Sequence, residues 1–132
     1  MLSRAWKSMA AEVILIIEDD VHIGGLVVQV LREAGFAPAL VRDVRAARDW
    51  GGEGNQPVAV LSDLMVAGSA GPAQLPAELA DIFHGAPLAL MTGVPPRRRA
   101  ALGVTHERIL EKPFELEDLI ATIHSMITPT HS

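Results

Sequence analysis

The chain has 132 residues, of which 49% are hydrophobic and 20% charged, and a formal net charge of −5. That length supports one domain with its own core, and the acidic balance argues against a nucleic-acid-binding surface, which needs clustered Lys and Arg. The absence of cysteine excludes a disulfide framework, a thiolate metal site and a Cys nucleophile and fits the cytoplasm, while no apolar run approaches the ~20 residues of a membrane span.

Residues 1–11 carry Arg4 and Lys7 but lack the apolar stretch of a secretory signal. They read as an N-terminal extension, with Trp6 and Met9 as residues that can dock on the surface. Glu12 to Ile17 is a β-branched, apolar strand that stops at three acids, Glu18, Asp19 and Asp20. Val21 to Ala34 follows with Ile23, Leu26, Val27, Val30 and Leu31 at helical spacing. Asp20 suits its N-cap and Gly35 its C-terminal stop. Gly24 and Gly25 are read as close packing of this helix on a sheet. Phe36 to Val41 is a second strand, edge-like because it contains Pro38. Asp43 then caps a helix from Val44 to about Trp50.

After a glycine-rich loop, Val58 to Ser62 is a short apolar strand buried on both faces, running straight into Asp63. Val66 to Ala73 is a loop of small residues, and Ala73 to Phe83 a helix with Pro76 near its start. Pro87 to Met91 is a fourth buried strand, ending at Thr92-Gly93. Pro95-Pro96 breaks the chain, so Arg97 to Leu102 forms only a short helix, with Arg97-Arg98-Arg99 as a solvated face. His106 to Glu111 is a fifth strand, ending at Lys112-Pro113-Phe114. Glu115 to Ile127 is an amphipathic helix, and residues 129–132 form a tail. Strand and helix alternate five times, which predicts an α/β domain over residues 12–128 with a parallel sheet and helices on both faces.

In a parallel sheet the carboxyl ends of the strands face one side, where ligands bind. Glu18, Asp19, Asp63, Thr92 and Lys112 all fall there. Clustered carboxylates repel unless a cation joins them. A hard ion such as Mg²⁺ takes oxygen ligands, and a carboxylate beside it can attack a phosphoryl group. A lysine and a hydroxyl then suit the phosphate oxygens, and Gly93 leaves room for the group to enter.

The run Ile14-Leu15-Ile16-Ile17-Glu18-Asp19-Asp20, then Asp63, Thr92-Gly93 and Lys112-Pro113-Phe114, resembles the receiver domain of two-component response regulators of the chemotaxis-regulator type, from about Val13 to Ile127. The resemblance implies a flavodoxin-like three-layer sandwich with strand order 2-1-3-4-5. It implies phosphotransfer from a phosphohistidine, on a sensor histidine kinase or a histidine phosphotransfer protein, to Asp63. In that frame Mg²⁺ is held by Asp63, by Asp19 directly, by Glu18 through water and by the Met65 backbone carbonyl. Thr92 is the switch hydroxyl, Lys112 the phosphate-binding cation, and the Lys112–Pro113 bond cis. The output is a changed protein-binding surface on the fourth helix, fifth strand and fifth helix, which also offers a homodimer face. Such a domain signals and is not a turnover enzyme, beyond assisting its own phosphorylation and dephosphorylation.

The chain departs from that pattern at three places. Val66 and Ala67 stand where the family has Met-Pro, so the loop loses a stiffening proline. Ile109 stands where it has an aromatic residue, and Pro95-Pro96 shortens the fourth helix. These keep open a degenerate receiver, acting as a phosphorylation-independent protein-interaction module. A Mg²⁺-dependent phosphohydrolase on a similar sheet would carry a second Asp two residues past the nucleophile, where this chain has Met65.

Overall fold

The computed structural model describes residues 12–127. Trp6, Met9 and residues 128–132 lie outside that range. Among the described residues five strands and five helices alternate: β1 (Val13–Ile17), α1 (Val21–Glu33), β2 (Ala37–Val41), α2 (Val44–Gly52), β3 (Ala59–Asp63), α3 (Leu75–Ile82), β4 (Leu88–Thr92), α4 (Pro96–Ala101), β5 (Ile109–Glu111) and α5 (Leu116–Ile127). The strands form one parallel sheet of order β2-β1-β3-β4-β5, the flavodoxin-like order expected. β2 is an edge strand paired only with β1, so Pro38 costs no ladder bond on its open side.

The alternation of side chains along each strand splits the core into two layers. Ile14 and Ile16 of β1 face one way, with Val27 and Leu31 of α1 and Leu119 and Ile123 of α5. Leu15 and Ile17 face the other, with Val44 and Ala47 of α2 and Leu75 and Leu79 of α3. Central strands covered on both faces must be apolar throughout, and all five residues of β4 are buried. Trp50 is half-buried at the end of α2, its ring 6.0 Å from that of Phe83. The packing role expected of the glycine pair belongs to Gly24 alone: a Cβ there would sit 3.0 Å from Leu40, whereas one at Gly25 would meet nothing within 4 Å.

Several boundaries differ from those expected. β5 is only three residues long. Its expected first half is taken up by His106, whose Nε2 lies 2.6 Å from the Leu88 carbonyl. α3 starts at Leu75 because the Gly71 carbonyl first closes a turn on the Gln74 and Leu75 N–H groups. α2 is capped by Asp43, whose carboxylate accepts the Ala46 N–H at 2.8 Å. Asp43→Ala is expected to cost about 1 kcal/mol by leaving that donor unpaired, read as a lower urea midpoint at unchanged slope.

Candidate functional site

Each site residue sits at, or just beyond, a strand end, and the ladder holds it there. The Glu18 N–H donates to the Val41 carbonyl at 3.0 Å, carrying the β1–β2 pairing one residue past β1. Leu64 N–H donates to Met91 at 2.9 Å and Lys112 N–H to Thr92 at 2.8 Å, doing the same for β3–β4 and β4–β5. The Lys112–Pro113 peptide bond is cis.

The acids meet as the sequence order implied. Glu18, Asp19 and Asp63 each bring a carboxylate oxygen within 4.8 Å of the others, with Glu18 buried, Asp63 half-buried and Asp19 exposed. Lys112 Nζ lies 2.9 Å from Glu18 Oε1 and 3.6 Å from Asp63 Oδ1. Glu18 is held on both oxygens, because its Oε2 also accepts the Asp20 N–H at 3.1 Å. Burial pushes its carboxyl up; the Lys112 hydrogen bond opposes that rise, and the charge on Asp63 adds to it. Asp63 is held more loosely, by the 3.6 Å contact with Lys112 and a 3.4 Å bond from the Met65 N–H. Asp20 is a cap: its carboxylate accepts from the His22 and Ile23 N–H groups, which holds its pKa below the usual range. The Thr92 side chain is buried, and its Oγ1 accepts the Val94 N–H at 2.9 Å.

The donor set is all oxygen, and a cleft of about 310 Å³ lined by Asp19, Met65 and Ala67 opens beside it. Among the described residues, three carboxylates meet one ammonium, a set that fits a hard divalent cation. Glu18, with both oxygens already accepting N–H bonds, fits a ligand through water better than direct contact. A Cβ at Gly93 would meet nothing within 4 Å, so no protein atom requires glycine there.

Sequence reasoning missed two groups. Arg97 and Arg98 are exposed, but Arg99 is not part of a solvated face. Its side chain is 13% exposed and donates to the Val94 carbonyl at 2.7 Å and to Glu111 Oε2 at 3.2 Å. The loop after Asp63, expected to be loose, is held by Glu78, which accepts from Ser69 Oγ at 2.6 Å and from the Ala70 N–H at 3.0 Å. Val66 packs into the core, and the Ala67 carbonyl accepts the Val44 N–H at 3.1 Å. No local spacing announces either group, since Ser69 and Glu78 are nine residues apart and Arg99 and Glu111 twelve. The Glu78 bonds hold its carboxyl below its ordinary value of 4.5. A depressed carboxyl adds stability above that value and loses it as pH falls through the depressed one. Glu78→Gln should therefore flatten the acid limb of the stability–pH curve and speed amide exchange at Ala70, measured by denaturation from pH 7 downward and by hydrogen exchange.

No protein-family model matches the chain, and no curated protein matches it. Solved structures do. A response regulator receiver protein from Sinorhizobium medicae superposes with a TM-score of 0.76 at 23% identity, covering 92% of this chain and 98% of that one. The receiver domain of a sensor histidine kinase from Pseudomonas aeruginosa, with a magnesium ion coordinated in its active-site cleft, gives 0.74 at 21% identity over 90% and 99% of the two chains. The chemotaxis response regulator CheY4 of Vibrio cholerae gives 0.68 at 21% identity over 87% and 98%. In strand order and in its superposition on these structures, the chain has the flavodoxin-like fold that response-regulator receiver domains adopt.

Proposed function

We propose that residues 12–128 form a phosphoacceptor receiver domain, which takes a phosphoryl group onto Asp63 from a phosphohistidine of a sensor histidine kinase or histidine phosphotransfer protein. The observation that carries this is the meeting of Glu18, Asp19 and Asp63 with the Lys112 ammonium, 3.6 Å from Asp63. An Asp63 oxygen attacks phosphorus in line as the P–N bond opens. The imidazole nitrogen keeps that electron pair and is reprotonated, and Asp63 becomes an acyl phosphate. Lys112 neutralises charge on the transferring group, and the Thr92 hydroxyl donates a hydrogen bond to a phosphoryl oxygen.

Asp63, Asp19, Glu18 through water and the Met65 carbonyl would hold Mg²⁺, which when bound supplies the positive charge that lets a phosphate approach these carboxylates. Support comes from the all-oxygen donor set and from the magnesium described in the Pseudomonas aeruginosa domain. The domain then acts in the cytoplasm as a two-state signal, presenting α4, β5 and α5 to a downstream protein or to a second copy of itself. Among the described residues no helix is long and apolar enough to cross a membrane.

Incubation with a small acyl phosphate and Mg²⁺ tests this, the expected result being a Mg²⁺-dependent mass increase of one phosphoryl group. The six-residue α4 and Ile109 favour a second reading, the phosphorylation-independent interaction module. No mass increase, together with no spectral response to beryllofluoride and Mg²⁺, would select it.

A further inference from the structure

We infer that Arg99 is a positioning residue that carries the state of the Thr92 hydroxyl to the surface carboxylate of Glu111. The inference deepens the phosphoacceptor reading and rests on it for what drives the change. Three contacts form the chain of connection. Thr92 Oγ1 accepts the Val94 N–H at 2.9 Å. The Val94 carbonyl accepts from Arg99 Nη1 at 2.7 Å. The same nitrogen donates to Glu111 Oε2 at 3.2 Å. The guanidinium is nearly enclosed, with its side chain 13% exposed, whereas Glu111 is 58% exposed.

α4 depends on this contact more than a longer helix would. It has six residues, starts with proline and buries none of them. The guanidinium therefore ties α4 both to the loop before it and to β5, in a position where apolar packing supplies little.

A hydroxyl carries one proton. Thr92 follows Met91, the register partner of Asp63, and its bond from Val94 N–H uses a lone pair of Oγ1 and leaves the proton free, so an anion on Asp63 draws that proton by rotating the side chain. Turning Oγ1 toward the anion withdraws the acceptor from Val94 N–H, and a partly buried donor left unpaired is costly. Gly93 is exposed with open space around it, so Val94 can turn about it as a whole residue, moving both its N–H, in the Gly93–Val94 peptide, and its carbonyl, in the Val94–Pro95 peptide. The Val94 carbonyl then leaves Arg99, and the guanidinium redistributes between Val94 and Glu111. Glu111 lines a cleft of about 620 Å³ with Arg99, Ile109, Phe114, Asp118 and Thr122. The charge presented there to a partner changes with the state of Thr92.

Thr92 also faces Glu111 across the β4–β5 ladder, so a backbone amide shift at Glu111 would not separate the two routes. The side-chain carboxyl carbon of Glu111, followed by NMR in the full chain, does. In ligand-free protein, Thr92→Val should shift that resonance, and Thr92→Ser, which keeps the acceptor, should leave it in place. The Thr92→Val shift should vanish in an Arg99→Met background and return with Arg99→Lys, whose ammonium can donate to both partners. A shift of equal size with and without Arg99, or none in either background, overturns the inference. A second arm adds beryllofluoride and Mg²⁺. Resonances at Met65 and the Glu111 carboxyl should move together in wild type, and only Met65 should move in Arg99→Met. Movement at Met65 alone in wild type also overturns the inference. No movement anywhere overturns the phosphoacceptor reading and, with it, Arg99 as an output device, while the ligand-free arm still decides whether Arg99 joins Thr92 to Glu111.

Discussion

Asp63→Asn is expected to abolish phosphorylation by a small acyl phosphate while leaving the fold intact. The amide oxygen is a poor nucleophile because it lacks the negative charge of a carboxylate, and the amide nitrogen's lone pair is delocalised into the carbonyl. The substitution keeps the shape of the side chain at the end of β3, so the ladder bond from Leu64 to Met91 and the Met65 N–H contact survive. It also removes a negative charge that raises the Glu18 carboxyl. Like charges in a cluster destabilise it, so the variant should be as stable as wild type or more so, by up to about 1 kcal/mol in the absence of divalent cation. Intact mass after incubation reads the first effect, and urea denaturation the second. Undiminished phosphorylation of the variant would move the acceptor away from Asp63. A loss of phosphorylation accompanied by a collapse of stability would instead recast Asp63 as a structural carboxylate.

The strand ends were legible in the sequence for a simple reason. Apolar runs that stop abruptly at Glu18, Asp63 or Thr92 mark both the end of a buried strand and a polar group that must face the open side of the sheet. Alternation of strand and helix then placed those ends together, and the acids do meet. What the sequence could not display is contact between residues whose separation matches no secondary-structure period. Arg99 looked like one of three solvated arginines, yet the first helical turn after Pro95, closed by the Arg99 N–H on the Pro95 carbonyl, brings it back onto Val94 and across to Glu111. Nothing in the sequence around Glu78 singles it out, yet it closes the loop that follows Asp63. The missing proline at Ala67 suggested a loosened loop, but side-chain bonds do the stiffening instead. Both omissions bear on how a change at Asp63 would leave the site, whereas the parts that were legible bear on how the site is built.

Lys112→Met should cost about 2 kcal/mol of stability, and Mg²⁺ should restore a larger part of it than it adds to wild type. Removing one partner of a buried ion pair leaves an uncompensated charge, at about 3–5 kcal/mol in fully enclosed cases. Here the Glu18 side chain is 1% exposed but that of Lys112 is 21% exposed, so water reaches the pair and the cost falls below that range, to about 2 kcal/mol. Methionine keeps the apolar stem, which lines a cleft with Leu26, Val27 and Phe114, and so isolates the loss of the ammonium. Without it, among the described residues Glu18 and Asp63 face each other with no cation between them, and Glu18 retains the Asp20 N–H alone. A divalent cation bound by the same carboxylates can take over the neutralisation. Anything that binds the folded state alone stabilises it in proportion to its affinity, and the affinity should rise once the competing ammonium is gone. Urea denaturation of both proteins with and without Mg²⁺ measures the four stabilities needed. Equal Mg²⁺ increments in the two proteins would show that lysine and cation do not share these oxygens. The cation site would then lie elsewhere, and the case for Asp63 as phosphoacceptor would lose the electrostatics on which it depends.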